Sequence, residues 1–193
     1  MGTFTDPRDG EIYKTIVIGN QIWMAENLKF KAEGSKCYGE GGPVLICDGN
    51  KQDYITLSND KIQDNYNKYG RLYDWNTAMK VCPAGWHLPC KEEWQELVEF
   101  AGGDKIAGGK LKAISGWYSN GNGTDDYGFA ALPGGYSLTG DKFEDVEKYG
   151  YWWSSTEHEV TQVYFRRMYY GDVDVERYID IRSRLYSVRC VQD

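Results

Sequence analysis

Alternating hydrophobic and polar positions predict strands in two regions of the chain. Between Glu11 and Met24 the alternation continues on both sides of the turn dipeptide Gly19-Asn20, which indicates an opening hairpin. From Gly116 onward, short strand-like runs are separated by glycine-rich turns. The last of these runs, 152–190, is expected to form strands in which one face builds a core and the other is displayed.

Two segments instead place apolar residues at helical spacing. In 74–82 these residues recur every three or four positions, and Pro83 is expected to end this first helix. In 90–101 they form one stripe, with acidic residues in the first turn and two glycines after the end, which predicts a second helix. Cys90 stands where serine or aspartate normally caps a helix, with Glu93 in the capping-box position, and a thiol is a poor cap.

The remaining long segment, 31–68, has no sustained period. It is polar and rich in glycine, asparagine and aspartate, so we expect a long loop insertion of the kind that often carries function. The full chain, 1–193, has the length of a single domain. Its 16 tyrosines, 7 tryptophans and 23 glycines indicate many turns and an aromatic core, which disfavours a helical bundle.

The segment 152–190 has an unusual composition. It holds eight aromatic residues and six arginines, with no lysine and no asparagine. Tyrosine and arginine are enriched at binding hot spots, because tyrosine buries much area at low entropic cost and guanidinium offers a planar set of donors. The segment is therefore either a binding face or an ordinary amphipathic sheet.

Net charge and hydropathy limit the classes of binding partner. A net charge of -7 and a pI near 5.0 argue against nucleic acid or an anionic membrane as the main partner. The sequence has no apolar run of the roughly 18 residues that a membrane span needs, so we expect no membrane insertion. It also begins without a signal peptide, as a chain trimmed of its signal would, so location stays open.

Five cysteines offer candidate disulfides. Cys37 and Cys47 bracket a glycine-rich loop and can close it, while Cys82 can reach the C-terminal strand through Cys190; Cys90 is then left over. No spacing matches a zinc site, and in a reducing compartment the pairs stay open thiols.

Candidates for catalysis or metal binding are few. His87 is interpreted as a packed or hydrogen-bonded core histidine, and His158 as a candidate contact beside the displayed surface. Ser154-Ser155 match no nucleophile elbow. The run 120–126 has closely spaced side-chain oxygens that suit calcium, but it has no EF-hand pattern and a tight Gly/Asn turn is the favoured interpretation. We expect no catalytic residue, no metal and no cofactor.

Six blocks, in order along nearly the whole chain, carry a family resemblance. They read TDPRDGEIYKTIVIGNQIWMAENL, YGRLYDWNTAM, CPAGWHLPCKEEW, GNGTDDYGFAALPGGY, YGYWWSSTE and SVRCV. This set resembles the Fibrobacter succinogenes major paralogous domain family, which is similar to the C-type lectin-like superfamily.

The resemblance implies an α+β, C-type lectin-like fold, with two helices flanking a small antiparallel sheet, adjacent N- and C-terminal strands and an irregular loop-rich lobe. It also implies disulfides between Cys37 and Cys47 and between Cys82 and Cys190, and a cell-surface or extracellular location, virions included. Cys90 departs from the family's usual cap residue.

Some C-type lectin-like proteins are targets of diversity-generating retroelements, which randomise adenines in codons such as those for asparagine. Such codons cannot yield Lys, Glu, Gln, Met or Trp, and the family's usual asparagine-rich tract is absent here. Met168 and Glu176 then lie outside the scheme, and Tyr164, Met168, Tyr186, Val188 and Cys190 are expected to be scaffold. The residues that fit the permitted set, and that we expect to bind ligand, are Phe165, Arg167, Tyr169, Tyr170, Asp172, Asp174, Tyr178, Ile179, Asp180, Ile181, Arg182 and Arg184.

We therefore expect a non-catalytic domain that binds a protein, such as a cell-surface protein, through a variable surface. Sugars are less favoured because the lectin calcium signatures Glu-Pro-Asn and Trp-Asn-Asp are absent. The alternatives are a cell-surface structural or adhesion module with fixed contacts, and an oxidase of the formylglycine-generating type. The oxidase needs a reactive cysteine pair in an open cleft, and only Cys90 is spare.

Overall fold

The computed structural model describes residues 1–48 and 51–193, with only the backbone at 47 and 48. The helices of the described residues are α1 (Asn59–Tyr69), α2 (Trp75–Val81), α3 (Lys91–Phe100) and α4 (Ala107–Leu111), and Tyr118–Asn120 forms a 3₁₀ turn. The strands are β1 (Gly2–Thr5), β2 (Ile12–Ile18), β3 (Gln21–Met24), β4 (Lys36–Cys37), β5 (Val44–Asp48), β6 (Lys51–Ile55), β7 (Arg71–Tyr73), β8 (Trp86–His87), β9 (Gly134–Ser137), β10 (Phe143–Val146), β11 (Tyr149–Glu157), β12 (Gln162–Tyr169), β13 (Glu176–Ile181), β14 (Tyr186–Ser187) and β15 (Val191–Gln192).

The strands form three sheets, and together with the helices they make the mixed α+β class that was predicted. The sheets have the orders β1-β2-β3-β15-β8, β6-β5-β10-β9 and β13-β12-β11-β14-β7-β4. The opening hairpin pairs Ile18 with Gln21 across its two-residue turn, as predicted. The C-terminal strand β15 lies between β3 and β8, so the strands near the two ends of the chain are neighbours.

The two helices expected from apolar spacing are present as α2 and α3. Asp74 caps α2, and its Oδ1 accepts a hydrogen bond from the Thr77 N–H at 3.1 Å. At the start of α3 the Glu93 carboxylate accepts a hydrogen bond from the Cys90 N–H at 2.7 Å. In addition to the two expected helices and the small antiparallel sheet, α1, α4 and two further sheets are formed.

The predicted loop insertion at 31–68 is also corrected. The segment contains β4, the hairpin of β5 and β6, and all but the last residue of α1. Helix α1 is more polar than α3, since its two buried side chains, Asn65 and Tyr69, are polar or amphipathic. Ser58 caps this helix by accepting a hydrogen bond from the Lys61 N–H at 3.3 Å.

Buried side chains pack on both sides of the six-stranded sheet. Trp152 and Trp153 follow one another on β11 and belong to different clusters. Trp152 packs with α3, whereas Trp153 packs with β7 and α2. Both faces of the sheet are therefore partly core, and the simple division into one core face and one displayed face does not hold.

The predicted disulfide between Cys82 and Cys190 is formed. The predicted bridge from Cys37 to Cys47 is not, since Cys37 is a buried free thiol whose Sγ lies 3.1 Å from Nη1 of Arg71. The side chain of Cys47 lies outside the described residues. Cys90 is also free and half-buried.

Candidate functional site

Side chains from β9 to β13 form one surface on the six-stranded sheet and the hairpin beside it. Cross-strand pairing places Tyr149 opposite Tyr169, and Tyr151 opposite Arg167. Paired residues share a side of the sheet, so these four side chains lie together. We call this surface the tyrosine face; its members are Tyr136, Glu144, Asp145, Tyr149, Tyr151, Arg167, Tyr169, Glu176, Tyr178, Asp180 and Arg184.

The rings of the tyrosine face pack on one another in a continuous layer. The centroid of Tyr149 lies 4.5 Å from that of Tyr169 and 5.7 Å from that of Tyr151, and Tyr136 lies 5.1 Å from Tyr151. Beneath this layer are buried aromatic side chains, which hold the outer rings in place. These are Trp153, Phe165 and Tyr186.

Arg167 occupies the middle of the face. Its guanidinium carbon lies 4.5 Å from the ring centroid of Tyr178 and 5.2 Å from that of Tyr149. The same guanidinium forms an ion pair with Glu176 at 2.6 Å. The ring quadrupoles and the carboxylate thus fix one arginine side chain across two strands.

Tyrosine hydroxyls of this region donate hydrogen bonds to carboxylates. Tyr136 donates to Glu144 at 3.0 Å, Tyr151 to Asp145 at 2.9 Å, and the buried Tyr186 donates to Asp180 at 2.6 Å. For each phenol, burial and then the neighbouring carboxylate raise the pKa above its usual value. These hydroxyls are therefore neutral donors at physiological pH.

Five of the twelve predicted ligand-binding residues lie on the tyrosine face: Arg167, Tyr169, Tyr178, Asp180 and Arg184. Tyr178 is the most open of them, with 43% of its surface exposed. Arg184 closes one end, where its guanidinium lies 5.7 Å from the Tyr136 ring and 3.6 Å from Asp180.

Phe165 is a correction to the predicted binding set. It was expected to be displayed, but only 6% of its surface is exposed, because it packs between Trp153, Tyr178 and Tyr186. Tyr164, expected to be scaffold, is half-buried on the other side of β12. Phe165 therefore supports the face from below.

Several other predicted residues lie away from the tyrosine face. Ile179 and Ile181 are exposed on the opposite side of β13. Asp174 forms an ion pair with Lys105 at 2.6 Å. These residues do not join the five in a single surface.

Of the last three predicted residues, Tyr170 adjoins the edge of the tyrosine face, and Asp172 and Arg182 lie apart from it. The Tyr170 ring centroid lies 4.4 Å from that of Tyr169 and 5.1 Å from that of Tyr118. Asp172 is exposed in the turn after β12, and Arg182 stacks its guanidinium carbon 4.4 Å from the Trp75 ring.

Sequence reasoning missed Tyr136, Glu144, Asp145, Tyr149 and Tyr151. Strand register places the β11 residues beside β12, whereas those of β9 and β10 belong to the neighbouring sheet and reach this surface through contacts of Tyr136 and Asp145 with Tyr151. The pattern Tyr149-Gly150-Tyr151 carries a usable signal, since residues two apart on a strand share a face.

The histidines have local partners. His87 lies between Glu93 and Asp193, with one ring nitrogen 2.7 Å from each carboxylate, so it is hydrogen-bonded as expected, but its side chain is partly exposed and does not lie in the core. His158 contacts the Tyr164 hydroxyl at 3.0 Å, away from the tyrosine face.

Neither the free thiols nor the 120–126 run forms a reactive centre in the described part of the chain. Burial raises the pKa of the Cys37 thiol to about 11, and burial also raises that of Cys90. Asn122 and Asp125 accept hydrogen bonds from the backbone N–H groups of Trp117 and Ala130. No three His, Cys, Asp or Glu side chains in 1–46 and 51–193 are grouped to hold a metal ion.

Comparison with known proteins gives one match. The model of the Fibrobacter succinogenes major domain matches residues 16–192. No curated protein and no solved structure matches the chain. Within the described residues, no helix has both the length and the apolar character that crossing a membrane requires.

Proposed function

The chain belongs to the Fibrobacter succinogenes major domain family, and from this premise we propose that it is a non-catalytic domain whose tyrosine face binds another protein. The observation that carries the proposal is the layer of packed tyrosine rings with arginines and carboxylates among them, in which Tyr136, Tyr149 and Tyr169 are half-exposed around the buried Tyr151. Such rings bury much area on binding and lose little rotamer entropy, because the layer beneath already orders them.

A C-type lectin-like fold is part of this proposal. Two features support it: helices α2 and α3 follow one another in the expected order, and β15 pairs with the strand that ends the opening hairpin. Two further observations support a non-catalytic domain. The raised pKa values of the free thiols Cys37 and Cys90 keep them protonated, and both ring nitrogens of His87 are paired with carboxylates.

The proposed binding function is tested with random peptides displayed on phage and selected on the intact chain. Affinities of the selected peptides are then measured for Tyr149→Ala and Tyr178→Ala, with Ile179→Ala and Ile181→Ala as controls from the other side of β13. We expect the tyrosine variants to bind about tenfold more weakly and the isoleucine variants to stay within about twofold. Peptides that lose affinity only for the isoleucine variants would refute the proposal.

We further propose that a retroelement diversifies five residues of this face, which are Arg167, Tyr169, Tyr178, Asp180 and Arg184. All five lie in the set that adenine changes in asparagine codons can produce, and their side chains share one surface. Sequencing the flanking locus tests this. A near-copy of the C-terminal coding segment that differs at adenines, beside a reverse transcriptase gene, is expected, and its absence overturns the retroelement version.

One observation favours the second candidate, an adhesion module with fixed contacts. Polar groups of the face already bond to one another, as in the Arg167–Glu176 and Arg184–Asp180 pairs at 2.6 and 3.6 Å, and this holds one arrangement of the rings. A locus without the repeat, together with face-dependent peptide binding, selects this candidate.

A further inference from the structure

The end of the tyrosine face formed by β9 and β10 holds two carboxylates without an ion-pair partner among the described residues. Glu144 accepts hydrogen bonds from the hydroxyls of Tyr54 at 2.9 Å and Tyr136 at 3.0 Å. Asp145 accepts one from Tyr151 at 2.9 Å. No described lysine, arginine or histidine nitrogen lies within 4.0 Å of either carboxylate.

The two carboxylates also repel each other. Burial raises the pKa of Asp145, and the neighbouring charge of Glu144 raises it further, against the opposing effects of the Tyr151 hydroxyl, Lys148 and Arg167. The backbone at Asp145 has φ of 68°, in the left-handed region, and holds its carboxylate beside the ring layer. A bound cation at this position relieves the repulsion and neutralises a partly desolvated charge.

Aromatic rings surround the same two carboxylates. Tyr54 has 43% of its surface exposed, and the half-buried Tyr136 packs against Tyr151. Elsewhere on the face, tyrosine rings and a carboxylate together bind a guanidinium group, because Arg167 lies over two tyrosine rings and pairs with Glu176. At this end Lys142 lies 5.4 Å from the Tyr54 ring centroid and Arg184 lies 5.7 Å from the Tyr136 ring centroid, but no cation among the described residues forms an ion pair with Glu144 or Asp145.

We propose that this end of the face, which we call the acidic end (Tyr54, Tyr136, Glu144, Asp145 and Tyr151), binds a guanidinium or ammonium group from an arginine or lysine side chain of the protein partner. This inference rests on the proposed function and specifies the partner's chemistry. The net charge of -7 favours the approach of a basic partner. Electrostatic and ring contacts together select a basic segment over an acidic one.

The experiment uses the phage-selected peptides from the intact chain and asks two questions of them. The first is whether lysine and arginine are enriched over the unselected library. The second is whether Glu144→Gln and Asp145→Asn weaken binding, with the exposed Glu33→Gln as a control that removes the same charge elsewhere. The amide substitutions keep an oxygen that can accept the tyrosine hydrogen bonds, and circular dichroism verifies that each variant is folded.

We expect basic residues to be enriched at least twofold, and each amide variant to bind basic peptides three- to tenfold more weakly at about 0.05 M salt. Glu33→Gln should change the affinity less than twofold. Peptides that depend on Tyr149 and Tyr178 but are not basic, or are insensitive to Glu144→Gln and Asp145→Asn, overturn this inference and leave the proposed function standing. Peptides that depend on neither tyrosine overturn both.

Discussion

Asn27 connects three parts of the core through both ends of its amide. Its Oδ1 accepts hydrogen bonds from Trp152 Nε1 at 2.9 Å and from Arg189 Nη2 at 3.1 Å, and its Nδ2 donates to the Tyr69 carbonyl at 3.0 Å and to Ser187 Oγ at 3.3 Å. We expect Asn27→Ala to lower the free energy of unfolding by about 2–4 kcal/mol, because several buried polar groups lose a partner together. Urea unfolding measures the change.

Asn67→Ala is the matched control for this prediction. Asn67 is exposed on α1 and only accepts a hydrogen bond from Gln63 at 3.1 Å. Its removal is expected to change stability by less than about 0.5 kcal/mol. Equal effects of the two alanine substitutions would contradict the role assigned to Asn27.

His87 gives the fold a pH dependence whose sign follows from its partners. Burial lowers the pKa of His87, but hydrogen bonds with Asp193 and Glu93 outweigh burial and raise the pKa above its usual value. A raised folded-state pKa stabilises the fold below the unfolded value of about 6.5, and this stabilisation is lost as pH rises through the folded pKa.

We expect the melting temperature of the wild type, relative to His87→Gln, to fall as the pH rises from about 5.5 to 8.5. The effect is small because 39% of the His87 side chain is exposed and solvent screens its ion pairs. Melting curves across this range measure it. A difference between the two proteins that is constant with pH, or that grows toward high pH, would show that the imidazolium does not stabilise the fold.

At the residue scale, the sequence predicted the kind of side chain in the binding surface better than its position. Arginine and tyrosine of β12 and β13 were recognised from alternation, yet Phe165 is buried since the sheet carries core on both sides. Tyr136 and Asp145 were missed because only strand register and the neighbouring hairpin bring them to this surface. Local periodicity carries no information about core on both sides of a sheet or about which strands become neighbours.

Gly70 ends α1 and starts β7 in a conformation that only glycine adopts easily. Its φ is 74°, and a Cβ placed there would lie 2.7 Å from the Leu28 carbonyl oxygen. We expect Gly70→Ala to lower the free energy of unfolding by more than about 3 kcal/mol, from left-handed strain plus the backbone clash. Chemical denaturation measures this loss.

Gly10 offers a control with a similar positive φ and no clash. Its φ is 79°, and a Cβ there would have no heavy atom within 4 Å. Gly10→Ala is expected to cost only about 1 kcal/mol. If the two variants were equally stable, the close approach of Leu28 would not be the cause.

The disulfide between Cys82 and Cys190 joins the end of α2 to the residue before β15. The two cysteines are 108 positions apart, so the bond restricts more than half of the unfolded chain. We expect Cys82→Ala/Cys190→Ala to lower the free energy of unfolding by about 3–5 kcal/mol. The midpoint of guanidinium unfolding, with and without reductant, measures the effect.

Cys90→Ala provides the comparison because Cys90 is a half-buried free thiol that takes no part in the disulfide. Reductant should lower the unfolding midpoint of the wild type and of Cys90→Ala alike. An unchanged wild-type midpoint in reductant would mean that the disulfide is not formed in solution.

At the element scale, prediction succeeded where amphipathic period and turn chemistry agree. Helix α3 has an apolar stripe, acidic first turn and glycine after its end, and the hairpin of β2 and β3 has its Gly19-Asn20 turn. Helix α1 was missed because its polar sequence contacts the core through Asn65, which donates to the Tyr38 carbonyl at 3.1 Å, and through the Tyr69 ring. The cap signals Ser58 and Gly70 were available in the sequence, but the low hydrophobicity of the segment concealed the helix between them.

At the scale of the whole molecule, β11 links two clusters of buried side chains through adjacent residues. Trp152 belongs to the cluster that contains α3, and its indole donates to Asn27; Trp153 belongs to the other cluster, and its indole donates to the Tyr73 carbonyl at 2.7 Å. Since successive residues of one strand anchor both clusters, neither can lose its packing without displacing the strand that supports the other.

We therefore expect the chain to unfold in one cooperative transition, in which far-ultraviolet circular dichroism and tryptophan fluorescence change together. Trp153→Ala should lower the free energy of unfolding by about 3–5 kcal/mol, because the cavity it leaves weakens the strand common to both clusters. The two signals should give the same value. Trp117→Phe, which keeps an aromatic ring in the α3 cluster, should lower this free energy by less. Two separated transitions in Trp153→Ala would show that the clusters unfold independently. The tyrosine face would then depend on only the second cluster, the one containing Trp153 and Phe165 beneath its rings.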